Sequence, residues 1–191
     1  MKKTILILLV FLTFLQQDIF AQQTTPVKKY GKTLNAGFGI GGYTGYYAYV
    51  KRTLFIFHLD YEFDIAQNFT LAPFVNFYTY RDGYYWGSNI YTIKNYYFHE
   101  TVIPVGIKAA YYFDQWIKAN PRWDFYVAAS VGFSHEASVW DKNYHGDPNY
   151  YRKASPLFLD GEVGAEYRFN KLCGVFLEIS SGASTIGVSI H

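Results

Sequence analysis

Apolar and polar residues alternate with a period of two along most of this chain, most clearly from Phe55 to Asp64. There Phe55, Phe57, Leu59, Tyr61 and Phe63 occupy one set of positions, and His58, Asp60, Glu62 and Asp64 fall on the other. Successive side chains of an extended strand point to opposite faces, so the segment predicts a strand with one aromatic face and one largely ionisable face. Parity alone does not say which face is wet. A soluble sheet turns its charges to water, whereas a barrel in a membrane turns the apolar face to lipid and the charges to a lumen.

Seven further segments repeat the pattern: Leu34 to Gly41, Phe69 to Tyr78, Glu100 to Tyr112, Phe125 to Ser134, Leu159 to Phe169, Val175 to Ile179 and Ile186 to His191. Short turns are expected at Ala66-Gln67-Asn68, Asn170-Lys171 and Ser181 to Ser184, and a medium connection at Asp114 to Arg122. Long loops rich in Tyr, Trp, Asn and Gly are expected at Tyr43 to Arg52, Arg81 to Asn95 and Glu136 to Ser155. Pro73 cannot donate to a ladder, so a bulge or irregularity is expected there. Gly37, Gly39 and Gly42 match G-x-G-x-x-G, but no helix follows, and the glycines read instead as small residues facing the interior of a tight barrel.

The charges keep one parity. Lys108 lies between Ile107 and Ala109, and Asp160, Glu162, Glu166 and Arg168 alternate with Leu159, Gly161, Val163, Ala165 and Tyr167. A cation on a lipid face near the midplane would cost about 2–4 kcal/mol, which an inward orientation avoids. The pattern therefore predicts an all-β chain, an eight-stranded antiparallel up-and-down transmembrane β-barrel. A soluble lipocalin-like barrel, with apolar residues around a ligand cavity, is the competing arrangement.

Composition supports the membrane version. Of 191 residues, 50% are hydrophobic, 21% aromatic and only 17% charged, a balance suited to strands and to membrane interfaces. The net charge of +2 gives no reason to expect nucleic acid as a partner. Lys2 and Lys3, the apolar run from Ile5 to Leu12 and the small residue Ala21 predict a signal peptide at 1–21, a polar leader at 22–32 and a barrel domain at 33–191. Cys173 stands alone, so no intrachain disulfide forms.

These segments, with pieces such as Ile103-Pro104-Val105-Gly106-Ile107-Lys108 and Tyr126-Val127-Ala128-Ala129-Ser130, resemble the small outer-membrane β-barrel proteins of Gram-negative bacteria, of the OmpA/OmpX type. The resemblance implies the cell outer membrane as location. It also implies outer-membrane lipid and the barrel assembly machinery as partners, with extracellular protein or glycan reached through the loops. His58, Asp60, Glu62, Asp64, Lys108, Asp160, Glu162, Glu166, Arg168 and Glu178 are expected to form a polar network filling a narrow lumen. Trp116, Trp123, Tyr167 and Phe169 are expected in the periplasmic aromatic girdle, and Trp140 in the outer one. A structural or surface-interaction role without catalysis, cofactor or metal is expected. The alternatives are a narrow porin-like channel and a rim-sited lipid A-modifying hydrolase using His135, Glu136 and Ser138.

Overall fold

The computed structural model describes residues 30–41, 43–45, 48–49, 53–88, 91–140, 142 and 156–191, with backbone alone at 43–45, 48–49, 53–54, 82–88 and 91–96. The expected signal peptide and most of the polar leader lie outside the described residues, as do 141 and 143–155 of the expected Glu136 to Ser155 loop. Ten strands are present among the described residues: β1 (Thr33–Gly41), β2 (Tyr43–Gly45), β3 (Ala48–Tyr49), β4 (Thr53–Ala66), β5 (Phe69–Ser88), β6 (Tyr91–Tyr112), β7 (Trp123–Trp140), β8 (Leu157–Arg168), β9 (Cys173–Ser180) and β10 (Ala183–Ile190). Eight of them close an antiparallel barrel in the order β1-β10-β9-β8-β7-β6-β5-β4, and β2 and β3 pair with each other between β1 and β4. No helix occurs among the described residues.

The alternation read from the sequence becomes inside and outside. On β4, Ile56, His58, Asp60 and Glu62 are buried, while Phe55, Phe57, Tyr61 and Phe63 are exposed. On β5 the buried set is Thr70, Ala72, Phe74, Asn76, Tyr78 and Tyr80. The exposed apolar row spans 9–11 residues per strand on β4 to β8, for example Trp123 to Phe133 on β7 and Phe69 to Phe77 on β5, which is the strand length a bilayer requires. A lipocalin-like barrel would have the opposite polarity. Here the interior holds charge and the exterior holds Phe38, Ile40, Phe55, Phe133 and Ile186, each more than 60% exposed.

Tight connections gather at one end. Asn68 adopts φ 63° in the β4–β5 turn, a conformation asparagine tolerates. In the β8–β9 turn Asn170 Oδ1 accepts from Leu172 N at 2.7 Å and Cys173 N at 2.9 Å, a side chain mimicking a backbone turn. The opposite end carries the longer excursions, together with the tight β9–β10 turn.

Three expectations need correction. The bulge at Pro73 does not form. Pro73 stays in step with Ile107 of β6, and the β4–β5 pairs Asp60↔Phe74 and Phe63↔Leu71 flank it without a register shift. The missing N–H is absorbed as a gap in the β4–β5 ladder. Pro104 behaves alike: β5–β6 pairing passes from Val75↔Val105 to Tyr78↔Val102 in unchanged register. Second, Arg81 to Asn95 is not a loop. β5 and β6, of 20 and 22 residues, continue as a ladder through Arg81↔His99 and Tyr84↔Tyr96 to Ser88↔Tyr91. Third, β7 follows them to Trp140 through Phe98↔Trp140, so the first part of the expected Glu136 to Ser155 loop is strand. Consecutive aromatics such as Tyr84-Tyr85-Trp86 hid this hairpin, because beyond a membrane no face must stay apolar and alternation lapses.

Candidate functional site: the polar lumen

Closing eight strands leaves an interior just wide enough for side chains, and here glycines and rings share it. Inward Gly37 and Gly187 face each other across the β1–β10 seam. A Cβ on Gly187 would stand 2.2 Å from Ala36 O and 2.6 Å from Phe176 Cε1, because the Phe176 ring lies over the pair. Gly106 and Gly132 form a second pair on β6 and β7, with Phe74 Cε1 2.9 Å from the position of a Gly106 Cβ. Phe74 in turn packs on Phe158 with ring centroids 5.5 Å apart.

Beside these rings sits the ionic centre. Lys108 on β6 is 1% exposed and reaches Asp60 Oδ2 of β4 at 2.5 Å and Glu178 Oε1 of β9 at 2.7 Å, with Glu62 Oε1 at 3.9 Å. His58 closes on Asp60 Oδ2 through Nε2 at 2.7 Å and on Asn76 Oδ1 through Nδ1 at 2.6 Å. Neutral donors occupy the remaining carboxylate lone pairs. Asn35 Nδ2 donates to Asp60 and Glu62, Thr70 and Tyr112 hydroxyls donate to Glu62 Oε2, and Tyr126 and Thr185 hydroxyls donate to Glu178. Five barrel strands besides β6 and β4, namely β1, β5, β7, β9 and β10, thus converge on one cluster. Burial of charge is tolerated only with such pairing and hydrogen bonding.

The expected network is in fact divided. A second cluster lies at the turn end, where Arg168 Nε stands 2.6 Å from Asp124 Oδ2 and His191 Nε2 stands 2.6 Å from Glu166 Oε1. His191 Nδ1 also meets Thr33 Oγ1 at 2.8 Å, joining the last strand to the first. Below β1, Tyr30 caps this end: it is 2% exposed, stacks on Tyr112 with centroids 4.0 Å apart and donates its hydroxyl to Asp114 Oδ1 at 2.9 Å. Burial and the Asp114 carboxylate push the Tyr30 phenol well above the usual tyrosine value, so it stays a donor.

The other expected lumen residues make no hydrogen bond to the centre, although Glu162 lies within electrostatic reach of Lys108 and Glu178. Glu162 accepts from Ser130 at 2.7 Å, and Asp160 accepts from Ser181 at 2.7 Å near the β9–β10 turn. Asp64 is exposed at the rim and accepts from Tyr30 N at 3.0 Å and Gly31 N at 2.9 Å, outside the network. Sequence reasoning missed Asp124 and Glu100. Asp124 sits one residue before the expected start of its strand, and Glu100, hydrogen-bonded by the Tyr80 hydroxyl, shares the inward parity of Lys108.

Trp116, Trp123 and Phe169 are exposed at the turn end, with Tyr167 half-buried between Trp123 and Phe169. Trp140 does not join an outward girdle. Its ring packs on Phe98, 4.8 Å between centroids, on the lumen-side parity of the β6–β7 extension. His135 is exposed on the outer face of β7, while Glu136 and Ser138 take the opposite parity, so the three do not converge as a hydrolase would need. Among the described residues no group of three or more His, Cys, Asp or Glu forms a candidate metal site.

No protein-family model matches the sequence. No curated protein matches it. Among solved structures, the chain is similar to a de novo designed transmembrane β-barrel at 13% identity, over 85% of this chain and 97% of that one, with a TM-score of 0.45. It is also similar to Ail, the attachment invasion locus protein of Yersinia pestis, at 12% identity over 84% of this chain and 99% of that one, with a TM-score of 0.43. A structure of Ail with the heparin analogue sucrose octasulfate gives 10% identity, 83% and 94% coverage and a TM-score of 0.42.

Proposed function

We propose that this chain is an integral outer-membrane β-barrel with a packed lumen and a structural or surface-interaction role, and that it performs no catalysis. The observation that carries this reading is the inverted polarity of the barrel. Its exterior is a band of Phe, Leu, Val and Ile, and its interior is built around Lys108, Asp60, Glu62 and Glu178. An apolar band of this extent, left in water, would be an aggregation surface, whereas lipid satisfies it. The β5–β6–β7 extension rises beyond the band and offers the surface through which the protein meets an extracellular protein or glycan. Heat-modifiable gel mobility, together with retention in the outer-membrane fraction after a high-salt wash, is the expected result. Release into the soluble fraction defeats the proposal.

A further inference from the structure

Exposed charge on this barrel is sorted by sign. Among the residues whose side chains are described, Lys32, Arg81, Lys118, Arg122, Lys142 and Lys171 are exposed, whereas Asp64 is the one exposed side-chain carboxylate, and two backbone N–H groups already occupy it. The near-neutral composition conceals this, because the carboxylates are turned inward.

Three of these cations lie in the chain's turn-end connections. Lys118 and Arg122 belong to the β6–β7 connection, and Lys171 to the β8–β9 turn. The acids beside them in sequence, Asp114 and Asp124, are 5% and 0% exposed and face Tyr30 and Arg168. The β8–β9 turn itself contains no acid. An aromatic row adjoins the patch: Trp123 lies 5.0 Å from Tyr167, and Tyr167 lies 5.5 Å from Phe169. The Arg122 guanidinium donates to the Tyr167 hydroxyl at 3.4 Å, and Trp116 lies 5.6 Å from outward-facing Tyr111. Rings of this kind settle at the depth where acyl chains give way to headgroups, which leaves the adjoining cations at the level of the phosphates.

We propose that this patch binds the phosphodiester headgroups of anionic phospholipids in the leaflet reached by the turn end, an inference that rests on the transmembrane reading above. A zwitterionic lipid brings its own cation to each phosphate. Three cations whose own connections hold no exposed side-chain carboxylate therefore favour a headgroup of net negative charge, and the planar Arg122 fork suits two phosphate oxygens. Each cation near an anionic surface contributes a factor of about five.

The test uses the full chain, refolded in zwitterionic micelles and titrated with phosphatidylglycerol or with phosphatidylcholine of the same acyl chains, with bound lipid read by native mass spectrometry. Wild type should retain phosphatidylglycerol at least about tenfold better than phosphatidylcholine, since screening reduces the product of three such factors. The Lys118→Gln/Arg122→Gln/Lys171→Gln variant should lose that preference, and Arg81→Gln/Lys142→Gln at the opposite rim should keep it. No preference in wild type, survival of the preference in the triple variant, or equal loss in the control overturns the proposal. Failure to insert into phosphatidylcholine vesicles, seen as absence of the heat-dependent gel shift, overturns the transmembrane reading instead. Insertion without a headgroup preference overturns the headgroup site alone.

Discussion

At the scale of the residue, Lys108 decides how charge is tolerated inside the barrel. Replacing it by methionine keeps most of the stem but strands Asp60 and Glu178, and the loss of one partner from a buried ion pair costs about 3–5 kcal/mol. Lys108→Met should therefore unfold at much lower urea than wild type in reconstituted membranes. Adding Glu178→Gln should recover part of the loss, and strict additivity of the two changes would show that the ion pair contributes nothing. Residue types and parity put His58, Asp60, Glu62, Lys108 and Glu178 on one face from sequence alone. Their partners were not legible, because Asp60 on β4 meets Glu178 on β9 only after β1 and β10 have been set between them. Asp64 shows the converse: it has the right parity, but β4 carries it past the mouth, where parity no longer means burial.

At the scale of the element, close strand approach depends on small residues at named sites. Gly187→Ala places a methyl against the Phe176 ring of β9 and against Ala36 O, a backbone atom that cannot yield without parting β1 from β10. Gly161 has nothing within 4 Å of an added Cβ, so Gly161→Ala is the matched control. The first substitution should lower the temperature at which the gel-shifted form is lost by several degrees, and the second should leave it within experimental error. The β5–β6 hairpin makes the opposite claim. Replacing residues 83–96 by a two-residue turn should leave the barrel heat-modifiable, since every lumen contact described lies closer to the turn end; loss of the folded band would show that the extension supports the barrel. The barrel strands were legible because lipid on one side and lumen on the other force alternation. The extension was not, because neither constraint reaches it.

At the scale of the whole molecule, Tyr30 and Tyr112, the Lys108 cluster and the Phe74, Phe158 and Phe176 rings share the barrel's interior. Planar-bilayer recording should accordingly show no large steady conductance, and sustained channel steps would refute the packed lumen. The inside–outside sense of the whole barrel was open in any single strand and became decidable only when all eight strands agreed on the side of their charges. The pairing of the first barrel strand with the last has a kinetic consequence. Gly37 meets Gly187 across almost the entire length of the domain, so no nascent portion of the chain can form a finished sheet. Both terminal edges remain open hydrogen-bonding templates until the final strand arrives. Closure therefore waits on the last strand, and until then both edges are open to pairing with another chain.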